Sequence, residues 1–285
     1  MFELNNISKS FGEKKVLKSI SASFSFGITG IAGSNGCGKT TMFKILTGLL
    51  KPEGGKILYN SEEINTQSSF WRSKIGYLPQ TIGLYSRMTV YDLLDYMLVL
   101  SDIKDKKLRK ERIDYLTGEL NLKAYLKTPC GYLSGGVKQR AGIAQAFIHD
   151  PEIVFLDEPT NNLDAEERER FHNFLDKFRL NKIILYVGHI IEEMGYISDR
   201  MLIFKNGEIV FHGKPSDLLN ESRYSVRQIL LSKNEALTFE PHMILRKIAI
   251  NGKTKIIYRP GQEEDNIGEA AEAHFEDVYK IITRD

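Results

Sequence analysis

The sequence predicts an α/β fold, a parallel sheet covered by helices, and three observations carry that reading. Gly33, Ser34, Asn35, Gly36, Cys37, Gly38, Lys39 and Thr40 match the pattern G-x-x-x-x-G-K-[ST] at every fixed position. An apolar, strand-like run over 24–32 precedes them, and residues 41–47, beginning at Thr41, follow with the apolar spacing of a helix. Farther along, strand-like and helix-like segments alternate over 151–219, as parallel strands with crossover helices do.

Taken in order, the first 60 residues hold short β-rich runs at 2–8, 16–26 and 55–59, separated by turn residues. Residues 84–150 differ. Within them 91–100 and 107–122 have the period of amphipathic helices, so the block is expected to be a helical insertion. Strand, helix and strand then follow at 151–156, 165–179 and 182–187. Beyond 220 the texture changes again. Residues 243–259 resemble two strands joined at Asn251 and Gly252, a favoured hairpin turn. Phe275, Val278, Tyr279 and Ile282 fall at helical spacing and predict a terminal amphipathic helix. The expected organisation is a main domain over 1–219 and a small α+β appendage over 220–285, with no internal repeat and no low-complexity segment.

Composition bounds the function. A chain of 285 residues with 42% hydrophobic and 27% charged residues is that of an ordinary globular protein. A net charge of +2 and the lack of a long basic run argue against a nucleic-acid partner. No apolar run approaches the roughly 18 residues that span a bilayer, and the first residues lack the basic start and apolar core of a signal peptide. The two cysteines, Cys37 and Cys130, make no disulfide framework. A role at a membrane would therefore need a partner chain.

The glycine loop carries the chemistry. Its glycines let the backbone curl until several N–H groups face one anion, and the following helix adds its N-terminal dipole. Lys39 would reach the β- and γ-phosphates of a nucleotide, and the Thr40 hydroxyl would ligate Mg²⁺. Cys37 lies at a variable loop position near the helix N-terminus. There it is either a reactive thiolate whose alkylation would block ATP or a space-filling side chain.

Five further segments resemble one family. Leu133, Ser134, Gly135, Gly136 and Val137 resemble the LSGGQ signature of ABC ATPases, with Val137 where Gln is usual. Residues 153–158 resemble its Walker B strand, ending in Asp157 and Glu158, and Asn161 to Asp164 resemble its D-loop. Gln80 and His189 stand where that family has its Q-loop and switch histidine, and order and spacing agree over 2–219. The resemblance implies a phosphate-loop NTPase domain of ABC type: a parallel core sheet, an N-terminal antiparallel β subdomain and an inserted helical subdomain. It also implies roles for individual residues. Asp157 and Gln80 would join Thr40 at Mg²⁺, Glu158 would be the general base for the attacking water, and His189 would contact the γ-phosphate. Phe11 would stack on adenine where the family usually has Tyr, or else fill the core. Ser134, Gly135 and Gly136 would meet ATP held by a second subunit, with Asp164 near that seam.

The resemblance therefore implies an ATP-hydrolysing subunit of an ABC transporter that works with Mg²⁺. It would act as a homodimer, or a dimer with a related ATPase, on the cytoplasmic face of the membrane beside a separate permease subunit. Residues 84–93 resemble the groove for that permease's coupling helix, with Tyr85 and Met88 as exposed anchors. Residues 76–93 and 275–282 look most like exporters of drugs, antibiotic peptides or sodium. A soluble ABC ATPase for cofactor assembly is the alternative. The transported molecule is not legible, because the membrane chain contacts it.

Overall fold

The computed structural model describes residues 1–220, 225–260 and 267–284. They form two compact units, one of Met1–His189 with Ile197–His212 and one of Ile190–Tyr196 with Gly213–Asp285. The units part at residue 213 rather than 220, and the second takes in a short stretch that follows His189.

The first unit holds a six-stranded sheet. Its order is Glu208–Gly213, Arg200–Lys205, Gly27–Gly33, Ile183–Val187, Ile153–Asp157 and Ile75–Leu78. The last five run parallel. Ile153–Asp157 and Ile183–Val187 are buried at every position, which explains why they read as unbroken apolar runs. A four-stranded antiparallel sheet, Lys14–Phe24, Phe2–Phe11, Gly54–Tyr59 and Glu62–Glu63, belongs to the same unit.

The phosphate-loop strand begins at Gly27, not at residue 24, and the preceding strand runs on to Phe24. Gly27 separates them: its φ is 120°, and a Cβ there would stand 2.7 Å from the Asp199 carboxylate. Phe24 turns into the core instead. It stacks on Phe2, which stacks on Trp71 with centroids 5.4 Å apart. Phe43, Ile45 and Leu46 of the helix Lys39–Leu46 share this core, and the Trp71 indole donates to the Leu46 carbonyl at 2.6 Å. Burying each such aromatic contributes roughly 1.5–3 kcal/mol. The helix behind the glycine loop is thereby pinned to the sheet.

The insertion is helical, with helices Val90–Leu100, Lys106–Glu119 and Gly135–Phe147. Thr89 and Asp92 form a reciprocal capping box at the first, and Asp105 caps the second. Ser134 stands at the N-cap of the third without a side-chain capping bond.

The second unit contains a sheet of order Ile244–Ile250, Lys253–Tyr258, Val226–Leu231 and Glu269–Ala271. The Asn251–Gly252 turn has both residues at positive φ, 47° and 78°, the geometry that two-residue hairpins favour. The terminal helix Phe275–Arg284 buries Phe275, Val278 and Ile281. Tyr279 and Ile282 are only half-buried. Asp277 occupies that buried face as well, fully enclosed and held bidentately by Arg246 at 2.6 and 2.7 Å. Apolar periodicity could not reveal a carboxylate whose burial depends on an arginine 31 residues away.

Candidate functional site

The register brings four strand ends together. Asp157 is level with Val187, Val187 with Ile31, Gly33 with Phe204 and Leu156 with Leu78. The glycine loop, Glu158, His189 and Gln80 thus emerge along one edge of the sheet. The carboxyl edge of a parallel sheet is where such folds bind ligands.

The loop depends on its glycines for space as well as conformation. A Cβ on Gly33 would lie 2.6 Å from Cys37 Sγ and 2.7 Å from the Phe204 carbonyl. Gly38 caps the following helix at φ 117°, and its Cβ would meet Leu17 at 2.7 Å. Lys39 Nζ donates to the carbonyls of Gly33 at 2.6 Å and Ser34 at 3.1 Å. These two bonds hold the cation against the loop.

A cleft of about 600 Å³ lies over the loop. Asn35, Gly36, Gly38, Lys39, Thr40 and Thr41 line it together with Gln80, Asp157, Glu158 and His189. Sequence reading missed two more lining residues, Val16 and Asn161. Val16 abuts Gly38, a contact between residues far apart in the chain. Asn161 lies in the D-loop segment already singled out, and its distance of three residues from Glu158 is the signal that was available.

Asp157 is 1% exposed, and its Oδ2 has no hydrogen-bond partner. Burial first, then the neighbouring Glu158 charge, push its carboxyl up to about 6, while the Thr40 side chain and Lys39 favour the ionised form. Burial and the same Asp157 charge push the Tyr77 phenol up to about 12. A raised native value has a definite sign. Between roughly pH 4 and 6 the folded chain holds a proton that the unfolded chain releases, so this group's contribution to stability falls as pH rises. At pH 7 the cost is fully present. Asp157→Asn is therefore expected to stabilise the ligand-free protein by about 1–3 kcal/mol near neutrality, read as a higher Tm, with the gain vanishing below pH 4.

Glu158 adopts φ 55°, a region uncommon for non-glycine residues. Its N–H donates to the Val187 carbonyl at 2.8 Å, and its carboxylate accepts from Asn161 Nδ2 at 2.5 Å. Gln139, buried in the signature helix and also missed in the sequence, donates to the carbonyls of Glu158 at 3.2 Å and Pro159 at 2.9 Å.

Other expected residues lie elsewhere. Ser34 and Cys37 line a neighbouring cavity of about 370 Å³ beside Lys14 and Lys15. Cys37 is only 5% exposed, which favours the space-filling reading over a reactive thiolate. Phe11 is 53% exposed with Lys9 Nζ 5.6 Å above its ring; it is not a core residue. Ser134, Gly135 and Gly136 do not line the cleft of their own chain. They lie beside the D-loop, where a Gly136 Cβ would stand 2.8 Å from the Asn162 carbonyl. Asp164 does not line the cleft either: its side chain caps the helix Ala165–Asp176 through the Glu167 N–H at 2.9 Å. Val137, the departure from the signature, is buried.

The metal fit rests on Asp157 and Thr40. Among the described residues no cluster of three or more His, Cys, Asp or Glu side chains could cage an ion. One enclosed carboxylate oxygen without a partner, next to a hydroxyl, suits a hard cation that draws its remaining ligands from phosphate and water.

Comparison with known proteins agrees with this geometry. The family model described as ABC transporter matches residues 17–161. The chain is 32% identical over 241 residues to the ABC transporter ATP-binding protein NatA of Bacillus subtilis (strain 168), covering 82% of this chain and 98% of that protein. It is 32% identical over 234 residues to the molybdate/tungstate import ATP-binding protein WtpC of Methanocaldococcus jannaschii, covering 81% and 76%. Among solved structures, the dimeric structure of MJ0796, a bacterial ABC transporter cassette, aligns with a TM-score of 0.70 at 26% identity, covering 75% of this chain and 99% of that one. With the phosphate loop, the acidic strand end and the signature helix in this arrangement, the chain belongs to the ABC transporter family, as an ATP-binding subunit that hydrolyses ATP.

Proposed function

We propose that this ATPase drives export through a separate membrane subunit, with two copies, or one copy and a close relative, closing on ATP. The observation that carries the site assignment is the enclosed Asp157 oxygen without a partner, in one cleft with Glu158, Lys39 and Thr40. Asp157, Thr40 and Gln80 would hold Mg²⁺, which neutralises charge on the β- and γ-phosphate oxygens.

Lys39 leaves the Gly33 and Ser34 carbonyls for the phosphates, which the loop N–H groups also hold. Glu158 takes a proton from water as the water oxygen bonds to the γ-phosphorus. The bond from that phosphorus to the bridging oxygen breaks, its electron pair staying with ADP, and inorganic phosphate departs. His189, exposed at the cleft mouth, contacts the γ-phosphate. The exposed Phe11 ring is free to stack on adenine.

Pairing of copies is supported by the signature helix. Ser134 is exposed and makes no capping bond, so its hydroxyl and the first N–H groups of that helix are free for an anion. A second copy's γ-phosphate is the anion we assign to them. That the similar MJ0796 cassette is dimeric supports the same arrangement.

No helix among the described residues is long and apolar enough to cross a membrane; the permease is the attachment we assign at the cytoplasmic face. Tyr85 is exposed and meets Tyr96 edge-on at 5.9 Å, forming an aromatic anchor for its coupling helix. Met88 is half-buried rather than exposed, and the anchor role passes to the tyrosines. Export rests on the exporter-like segments 76–93 and 275–282. WtpC is named an importer, so resemblance of names does not choose the direction.

Isolation of the tagged protein from membranes tests the proposal. A multi-span membrane protein should copurify in stoichiometric amount, and inside-out vesicles carrying the pair should accumulate substrate when given ATP. Recovery of fully active ATPase alone in the soluble fraction, with no membrane partner, would contradict it.

A further inference from the structure

We infer that Asn161 is a positioning residue for hydrolysis, holding the Glu158 carboxylate in the cleft so that its second oxygen stays free to accept a proton. The inference rests on the assignment of Glu158 as the base. The Glu158 backbone is fixed on several sides. Its N–H bonds to Val187, and its carbonyl accepts from the Asn161 N–H at 3.2 Å and from Gln139 Nε2 at 3.2 Å. The side chain is different. It is half-buried with several rotatable bonds, and it lies close enough to Asp157 for the two carboxylates to repel each other.

One contact opposes that repulsion. Asn161 Nδ2 donates to Glu158 Oε2 at 2.5 Å, a hydrogen bond to a charged acceptor and so stronger than a neutral one. The amide must present its nitrogen, because its oxygen would face a carboxylate. Asn161 occupies one of the carboxylate oxygens, Oε2, and both residues line the cleft. A neutral donor does this without adding a cation that would compete for the phosphates. The backbone bond from Asn161 to Glu158 closes a short turn, so donor and acceptor have little freedom to separate.

Asn161→Asp is the decisive variant, since it keeps the shape, removes the donor and adds a repelling charge. Its kcat at saturating ATP should fall by roughly 10- to 100-fold, as expected for a misplaced catalytic group, while in the uncharged Ser and Ala variants KM and equilibrium ATP affinity stay within about twofold. Asn161→Ser, which keeps a shorter donor, should retain more activity than Asn161→Ala, and Ala more than Asp. A purely structural role predicts the opposite order, with the isosteric Asp tolerated best. In a Glu158→Gln background the Asp substitution should change residual turnover by less than about twofold, because a base that is absent cannot be mispositioned. A wild-type circular dichroism spectrum and Tm in each variant show that it is folded.

Wild-type kcat in Asn161→Asp, or an equal loss in the Glu158→Gln background, would overturn the inference. Normal turnover by Glu158→Gln alone would instead overturn the assignment of the base, so the two failures are distinguishable.

Discussion

Glu158→Gln should lower kcat by about 10²–10⁴-fold, the range that general-base catalysis contributes, while leaving ATP affinity within a few-fold of wild type. The substitution is almost isosteric. Its carboxamide oxygen can still accept from Asn161 Nδ2, and the backbone bonds that hold φ at 55° do not involve the side chain. What disappears is the capacity to take a proton from water. Removing a charge that repels Asp157 should, if anything, stabilise the fold. Steady-state phosphate release measures the rate, and titration with labelled nucleotide measures affinity. Turnover near wild type would remove Glu158 from the mechanism.

Lys39→Ala should weaken ATP binding by about 100-fold. Hydrogen bonds to charged groups contribute about 1.5–3 kcal/mol each, and two contacts to phosphate oxygens together correspond to a 10²–10⁴-fold change in Kd. Lys39 donates to two carbonyls of its own loop, so those bonds must be exchanged for phosphate, and the exchange trims the net gain. The fold should survive, because the half-buried side chain lies outside the apolar core that pins its helix. Calorimetric titration with ATP reads the effect. An unchanged Kd would contradict the phosphate role.

The parts legible in the sequence share one physical property: they are local. The glycine loop, Walker B strand and signature each lie within a few consecutive residues, so fixed spacing exposes them. The strands buried on both faces could be read because no polar residue interrupts them. The parts that were missed depend on long-range approach. Gln139 matters because its helix packs beside the Glu158 turn, and Val16 because it closes on Gly38. For Cys37 the sequence leaves a reactive thiolate and a space-filling side chain both open, and its depth beneath the loop favours the second. Asp164, expected near the seam with a second subunit, also caps a helix. In the second unit, the strand Val226–Leu231 was not recognised, since it pairs with segments distant in sequence.

The molar mass of Glu158→Gln in solution, taken by light scattering with and without saturating MgATP, bears most directly on the claim that each cleft is completed by the signature helix of another copy. Twice the chain mass with MgATP and the single-chain mass without it is the predicted outcome, with Ser134→Glu abolishing the doubling by setting a carboxylate against the γ-phosphate. A single-chain mass at saturation, with ATP demonstrably bound, would contradict the account.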